Sequence, residues 1–427
     1  MQFNQNPLTP IIPSNNNSTQ KQLQYVFKKG LSIVVMVCLF FVYAKAQNQA
    51  YDLKRLLQLG NLTNDSASLA CLPITYQRTD LPFVEVIIDG KPFLFLFDTG
   101  ASVSMLSKEI AAGMNVVATT PIEDVTGKKM KKDLVLASMN LGDMAFKDVL
   151  CVVNETNWLS DVACVKIDGI LGANLINLCN WQIDPVKGQL CLSKKPFELV
   201  PTGIQLPVFY TGSGLPILQT AVYGKSFYAL MDFGFHGFVE LNEDVVSSKK
   251  HKDQMVWRGV GEHSIGFNAG SAGKISRTVL DTLFLADQSL LQVPAVWSSH
   301  KPMLGASLLK RYVVTFNTGN GTVFTQAGQL FLQPISDSTF TSPQLFPLKF
   351  GLNKSGELVV KFVWQTELTQ SLKVGERILK INNQEVDQLN PATWCALADE
   401  IQNMAQLQVV VEIKGKAQSF VFNRVVH

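Results

Sequence analysis

Asp98 ends a run of apolar residues, Phe93-Leu94-Phe95-Leu96-Phe97, and is followed by Thr99-Gly100-Ala101-Ser102. The run reads as a strand, and the glycine permits a tight turn that leaves a carboxylate at the strand end. A single Asp-Thr-Gly is a weak signal, because Asp and Gly populate ordinary turns. A second copy strengthens it. Gly90, Phe93, Asp98 and Gly100 recur as Gly224, Phe227, Asp232 and Gly234, each 134 residues further on. Two carboxyls held about 3 Å apart cannot both ionise, so they share one proton and titrate as a pair. Such a pair offers a base and an acid at the same pH, which is what activation of a water molecule needs.

The elements that must position the two acids are repeated too. Leu72-Pro73 and Leu81-Pro82 recur as Leu206-Pro207 and Leu215-Pro216. Residues 170–190, ILGANLINLCNWQIDPVKGQL, align without a gap on 303–323, MLGASLLKRYVVTFNTGNGTV. Leu171, Gly172, Ala173, Leu175 and Gly188 match Leu304, Gly305, Ala306, Leu308 and Gly321. Between these blocks lie short runs rich in Val, Ile and Phe, broken by Gly, Asn, Asp and Pro, which is β texture. A unit this long, present twice, predicts two similar lobes rather than a solenoid.

Residues 72–325 resemble the pepsin and retropepsin-like aspartic proteases: an apolar strand runs into Asp98-Thr99-Gly100, and Ile170-Leu171-Gly172 follows some seventy residues later. The resemblance implies a mainly β, bilobal pepsin-like fold with double-psi-type β-barrel lobes, lobe 1 over 71–200 and lobe 2 over 201–328. It implies an aspartic endopeptidase with Asp98 and Asp232 as catalytic dyad. Thr99 and Ser102 would brace the dyad, and Gly100, Gly234, Gly172 and Gly305 would allow close backbone approach. No cofactor or metal is expected, the partner is a peptide or protein substrate, and one chain brings both acids, so a monomeric protease unit is expected. The flap over the substrate would turn at Thr126 and Gly127, and residues 257–273 are less clearly a hairpin. Ala101 is what retropepsins carry where pepsins usually have Ser, which removes one carboxyl hydrogen bond and moves the expected working pH toward neutral.

The second copy departs from the pattern. It reads Met231-Asp232-Phe233-Gly234-Phe235-His236, with Phe where the family has Thr or Ser. The family's hydroxyl braces the dyad from the opposite lobe, and Phe233 has none to offer. Two alternatives therefore stand beside the enzyme: a catalytically inactive peptide-binding protein on the same fold, and a first lobe that pairs with the first lobe of another chain.

Leu372 to Asn382, LKVGERILKIN, resembles the Gly-Asp-x-Ile-Leu-x-Ile-Asn stretch of PDZ domains. The resemblance covers 346–427 and implies a small α+β PDZ-like domain with a peptide ligand. Phe350-Gly351-Leu352 would stand at its carboxylate-binding loop, and a helix over Pro391–Met404, capped by Asn390, beside its groove. Residues 329–345, with their Ser, Thr and Pro, read as a linker.

Composition narrows the classes. The chain has 427 residues, 47% hydrophobic and 17% charged, which excludes wholesale disorder and allows several cores. Residues 1–46 hold four lysines and no acid, so the remaining 33 basic and 34 acidic groups nearly cancel. That balance leaves no electrostatic footprint for nucleic acid. Leu31–Tyr43 is a short apolar run between Lys28-Lys29 and Ala44-Lys45-Ala46, which reads as a signal peptide over 1–46, or an anchor. Export is the expectation, to a periplasmic, membrane-anchored or extracellular site, with 47–70 as a stalk or propeptide. Six cysteines follow Cys38, an even number that permits disulfides, with four of them between 151 and 191 open to local bridges. The five histidines have no metal-ligand spacing, and Asp232-Phe233-Gly234 lacks every other kinase signature.

Overall fold

The computed structural model describes residues 53–426, apart from 54, 64–66, 125–126, 200–202, 243–244, 246–256, 266–269, 319–327, 336–339, 341–343 and 387–388. The expected signal peptide and the flap residue Thr126 lie outside the described residues.

The first half runs β1 (Asn61–Leu62), β2 (Leu69–Thr75), β3 (Phe83–Ile88), β4 (Lys91–Phe97), β5 (Ser104–Ser107), α1 (Lys108–Ala111), β6 (Val116–Glu123), β7 (Lys129–Leu141), β8 (Met144–Asn154), α2 (Asn157–Ala163), β9 (Gly169–Leu171), α3 (Ala173–Ile176), β10 (Asn180–Asp184) and β11 (Gln189–Ser193). The second repeats the order: β12 (Ile204–Tyr210), β13 (Pro216–Val222), β14 (Lys225–Asp232), β15 (Val239–Asn242), β16 (Trp257–Ile265), β17 (Gly270–Leu285), β18 (Gln288–Ser298), β19 (Met303–Gly305), α4 (Ala306–Leu309), β20 (Tyr312–Asn317) and β21 (Gly328–Pro334).

The strands form because their apolar residues fall on alternate positions. In β2 and β12 every second side chain is buried and its neighbours are exposed, the period that a strand with one covered face requires. Two features unite the halves. Their ends interleave in a sheet ordered β2-β11-β10-β20-β21-β12, joined at the centre by Trp181↔Phe316 and Ile183↔Val314. One hydrophobic core also runs through both, from Phe83 and Trp181 to Leu280 and Phe316.

Three sequence expectations change. Gly328–Pro334 is strand β21, paired with β12 and β20, so the stretch read as linker from 329 begins inside the second half's sheet. Its alternating apolar residues Leu330 and Leu332 are buried, which outweighs the polar residues that follow. Asn61–Leu62 pairs with β8, so part of the expected stalk belongs to the first half's sheet. No local bridge forms among the four central cysteines: Cys71 bonds Cys191, Cys164 bonds Cys395, and Cys151 and Cys179 are free and buried.

After β22 (Gln344–Leu345) the C-terminal unit has its own core around Leu358, Val360, Ile378, Leu407 and Phe422. It comprises β23 (Leu348–Leu352), β24 (Leu358–Trp364), β25 (Ile378–Ile381), β26 (Gln384–Glu385), α5 (Pro391–Asn403), β27 (Gln406–Ile413), β28 (Lys416–Asn423) and β29 (Val425–Val426). Asn390 caps α5 by accepting the Thr393 N–H at 2.9 Å, with Pro391 in the first turn, where its missing N–H costs nothing. Phe350, Gly351 and Leu352 lie in strand β23, paired with Val360, Val359 and Leu358, rather than in a loop. Among the described residues no helix is long and apolar enough to cross a membrane.

Candidate active site

Each half builds the same device. Strand β4 lies parallel to β9, with Phe97 opposite Leu171, and β14 lies parallel to β19, with Met231 opposite Leu304. The chain leaves β4 at Asp98, whose N–H donates to Leu171 O at 3.0 Å. Asp232 is the last residue of β14, opposite Gly305. Gly172 and Gly305 start α3 and α4 with identical backbone angles, φ −98° and ψ 175°. A Cβ on Gly172 would overlap the backbone of Val103 and Ser104, and one on Gly305 the carbonyl of Gly237.

The halves bring Asp98 and Asp232 together. A Cβ on Gly100 would overlap the Asp232 carboxyl, and a Cβ on Gly234 would overlap that of Asp98, so each acid sits over the other half's glycine. The two carboxyls are within hydrogen-bond reach of one another. Asp98 Oδ1 accepts the N–H groups of Gly100 at 2.8 Å and Ala101 at 3.0 Å, and Asp232 Oδ1 accepts that of Gly234 at 2.7 Å. Burial lifts both carboxyls above the ordinary range, and the Asp98 charge lifts Asp232 further. The amide hydrogen bonds pull the other way and do not cancel the burial.

Thr99 is 1% exposed. Its hydroxyl donates to Met231 O at 2.6 Å and accepts the Phe233 N–H at 3.1 Å, tying the first loop to the second. The tie has no mirror image. Phe233 instead turns its ring into an aromatic cluster, 6.1 Å from Phe97 and 5.9 Å from Trp181 between centroids, with Trp181 stacked on Phe316 at 5.0 Å. Ser102, half-buried, hydrogen-bonds neither carboxyl.

The hydroxyl that braces the first loop is Ser104, which the sequence reading missed. Asn174 Oδ1 accepts Ser104 N–H at 2.8 Å and its Oγ–H at 2.9 Å, Ser104 Oγ accepts Gly172 N–H at 3.0 Å, and Asn174 Nδ2 donates to Leu150 O at 2.8 Å. At the matching places the second half has Phe238 and Ser307. Ser307 turns across to the first half and donates to Asp80 Oδ2 at 2.6 Å, with Lys310 Nζ 3.2 Å from Asp80 Oδ1. The Asp80 N–H donates to His236 Nδ1 at 3.0 Å, which fixes that ring beside the second loop. Asn174 falls within a repeated block and Ser104 lies four residues beyond Gly100, so laying the two copies side by side past the Asp motif would have brought both up.

Hairpin β6–β7 closes on Glu123↔Lys129, and Asp124 Oδ1 accepts Lys128 N–H at 3.0 Å; Gly127 turns with φ 78°. In the second half β16 and β17 form the corresponding hairpin, although its glycines obscured it in the sequence. Among the described residues no group of His, Cys, Asp and Glu has the arrangement of a metal site.

The raised carboxyls give a pH prediction. A pair acting with one shared proton is active between its two apparent pKa values and loses activity as pH rises through the upper one. With both values lifted by burial, hydrolysis should peak above about pH 4, and a pH–rate profile peaking below about 3.5 would contradict the assignment.

Residues 84–175, from β3 through α3, match the model of the family described as aspartyl protease. The match takes in Asp98, Thr99, Gly100 and Gly172. No curated protein matches the chain.

Proposed function

We propose that the chain is an exported aspartic endopeptidase in which Asp98 and Asp232 act as one unit. The observation that carries this is the interlocking of the two acids, each seated over the glycine of the opposite loop, with Asp232 buried and Asp98 half-buried. In the proposed step the ionised carboxyl takes a proton from a water held between the pair. The resulting hydroxide attacks the peptide carbonyl, and the protonated carboxyl donates to its oxygen. Collapse of the tetrahedral intermediate releases the amine, with the proton returned through the same pair. Thr99 holds the loops in register, while Ser104 and Asn174 hold the first loop against α3. The C-terminal unit, PDZ-like by resemblance, would take a peptide or partner segment along β23 and raise its concentration near the cleft.

One observation favours a second reading. Phe233 returns no hydroxyl, so the cleft could serve a non-catalytic peptide-binding protein. A mixed peptide library incubated between pH 3 and 8 separates the two. The peptidase is expected to cut internal bonds and to be blocked by pepstatin. If nothing is cut across that range, the binding reading replaces it.

A further inference from the structure

Strands β23 and β24 extend the second half's sheet, in the order β23-β24-β16-β17-β18. The join is at Gly259↔Trp364, Val260↔Val363 and Gly261↔Phe362. This register decides which side chains share a face. Lys349 stands opposite Phe362, Trp364 opposite Gly259, and Trp257, two residues before that glycine, opposite Arg277. Lys349, Phe362, Trp364, Trp257 and Arg277 therefore lie on one face. A Cβ on Gly259 would overlap the rings of Phe362 and Trp364, so both rings fill the room the glycine leaves, with a cation on either side. Leu348 and Val363, on the opposite face, belong to the core that the C-terminal unit forms with α5, so the cations face away from it.

Arg277 is 8% exposed, and its Nε is buried without a hydrogen-bond partner. Among the described residues no carboxylate pairs with it. The acids of the second half's neighbouring strands are engaged elsewhere: Lys361 Nζ lies 3.0 Å from Glu262 of β16, and His300 Nδ1 lies 3.0 Å from Glu240 of β15. Asp80 is taken by Ser307 and Lys310. A buried charge left without a counter-charge is costly, so a site of this kind is completed by an anion. The planar guanidinium fits a carboxylate through two parallel N–H bonds.

The same face reaches the second loop. Lys349 and His236 are both exposed, yet burial among protein atoms holds each below its ordinary range. Side chains that meet water and are still desolvated stand on the wall of a cleft, not on a convex surface. The Arg277 charge lowers Lys349 further, and the Lys349 charge lowers His236 against the pull of Asp80, so the three are electrostatic neighbours in that order. His236 lies four residues beyond Asp232 in the loop that carries that acid. We propose that Arg277, with Lys349 beside it, binds a carboxylate of the substrate next to the second loop and so selects acidic peptides. The carboxylate belongs either to an internal Asp or Glu or to the peptide's C-terminus. This deepens the peptidase reading and rests on it for its effect on turnover.

The test uses the full chain and quenched peptides in pairs that differ only by Glu against Gln at each position around the cut bond. Each is made with a free and an amidated C-terminus and assayed at about pH 6, where the carboxylates are ionised. At one position, or at the free terminus, the acid is expected to raise kcat/KM about 10-fold or more. A preference that survives amidation assigns the site to an internal acid, and one lost with it assigns the site to the terminus. Arg277→Met should abolish the preference and leave Tm unchanged or raised, because an uncompensated charge is removed. Should that variant not fold, Lys349→Met, at an exposed position, should cut the preference about 3-fold. Equal rates for every acid and amide pair overturn the proposal. So does a preference undiminished in Arg277→Met, or in Lys349→Met where that variant stands in for it. A wild type that hydrolyses nothing fails the peptidase reading alone. Anisotropy of the same peptides, labelled with fluorescein, then decides the site: tighter binding of the acids, lost in Arg277→Met, upholds it, and equal binding overturns it.

Discussion

Asp98→Asn and Asp232→Asn are each expected to lower kcat/KM by about 10³-fold or more, and the double variant by little beyond either single one. Positioned acid–base groups contribute about 10² to 10⁴ each, and groups that act as a unit do not add. Each amide keeps an Oδ1 to accept the turn N–H groups, those of Gly100 and Ala101 or that of Gly234, so the loops should keep their shape. The second readout is stability, and its sign follows from linkage. A carboxyl whose folded pKa lies above its unfolded one favours the fold below the unfolded value, and that contribution is lost as pH rises through the folded value. At neutral pH the buried pair therefore opposes folding, and replacing one acid by a neutral amide should leave Tm unchanged or raised while hydrolysis is lost. A fall in Tm with activity retained would make these acids structural. Activity that survives Asp232→Asn but not Asp98→Asn would instead select pairing between the first halves of two chains.

The meeting of Asp98 and Asp232 was legible because a repeat makes a weak motif countable. Asp-x-Gly by itself says little, but its return 134 residues later, with Gly224 and Phe227 in register, marks equivalent positions in two halves. Strands whose apolar residues alternate were legible for the same reason, since the pattern lies within a few residues. What the sequence hid depends on residues far apart. The Cys164–Cys395 bond spans 231 residues, and no spacing rule chooses it over a local bridge between Cys151 and Cys179. The second hairpin looked poorly formed because Gly259 and Gly261 weaken a strand judged alone. They are there for a partner in another unit, whose Phe362 and Trp364 occupy the room they leave. Phe350-Gly351-Leu352 was placed at a loop by the PDZ resemblance rather than by its own residues, and its pairing with β24 makes it a strand. Ser104 and Asn174 went unnoticed because they touch neither acid.

Phe233→Thr separates packing from hydrogen bonding at the position where the second loop lacks the hydroxyl of the first. The hydroxyl regained is worth about 1 kcal/mol if its partners are in reach. The ring lost is 2% exposed and meets Phe97 and Trp181 edge to face, and emptying such a site costs about 3–5 kcal/mol. Packing wins, so the variant should be less stable by about 2–4 kcal/mol, roughly 2–5 °C in Tm for a protein of this size. The Phe233 N–H bond to Thr99 is made by the backbone and survives the change, so the loops stay tied from the first half. Activity per folded molecule should then stay within about 3-fold at low temperature and collapse early on warming, because the barrier depends on the two carboxyls. Phe233→Leu, which keeps most of the volume and restores no hydroxyl, should lose less stability than Phe233→Thr. If Phe233→Thr instead proves the more stable of the two, or gains activity about 10-fold, the aromatic cluster is not what holds this loop, and the missing hydroxyl is a defect that the fold tolerates rather than one it has replaced.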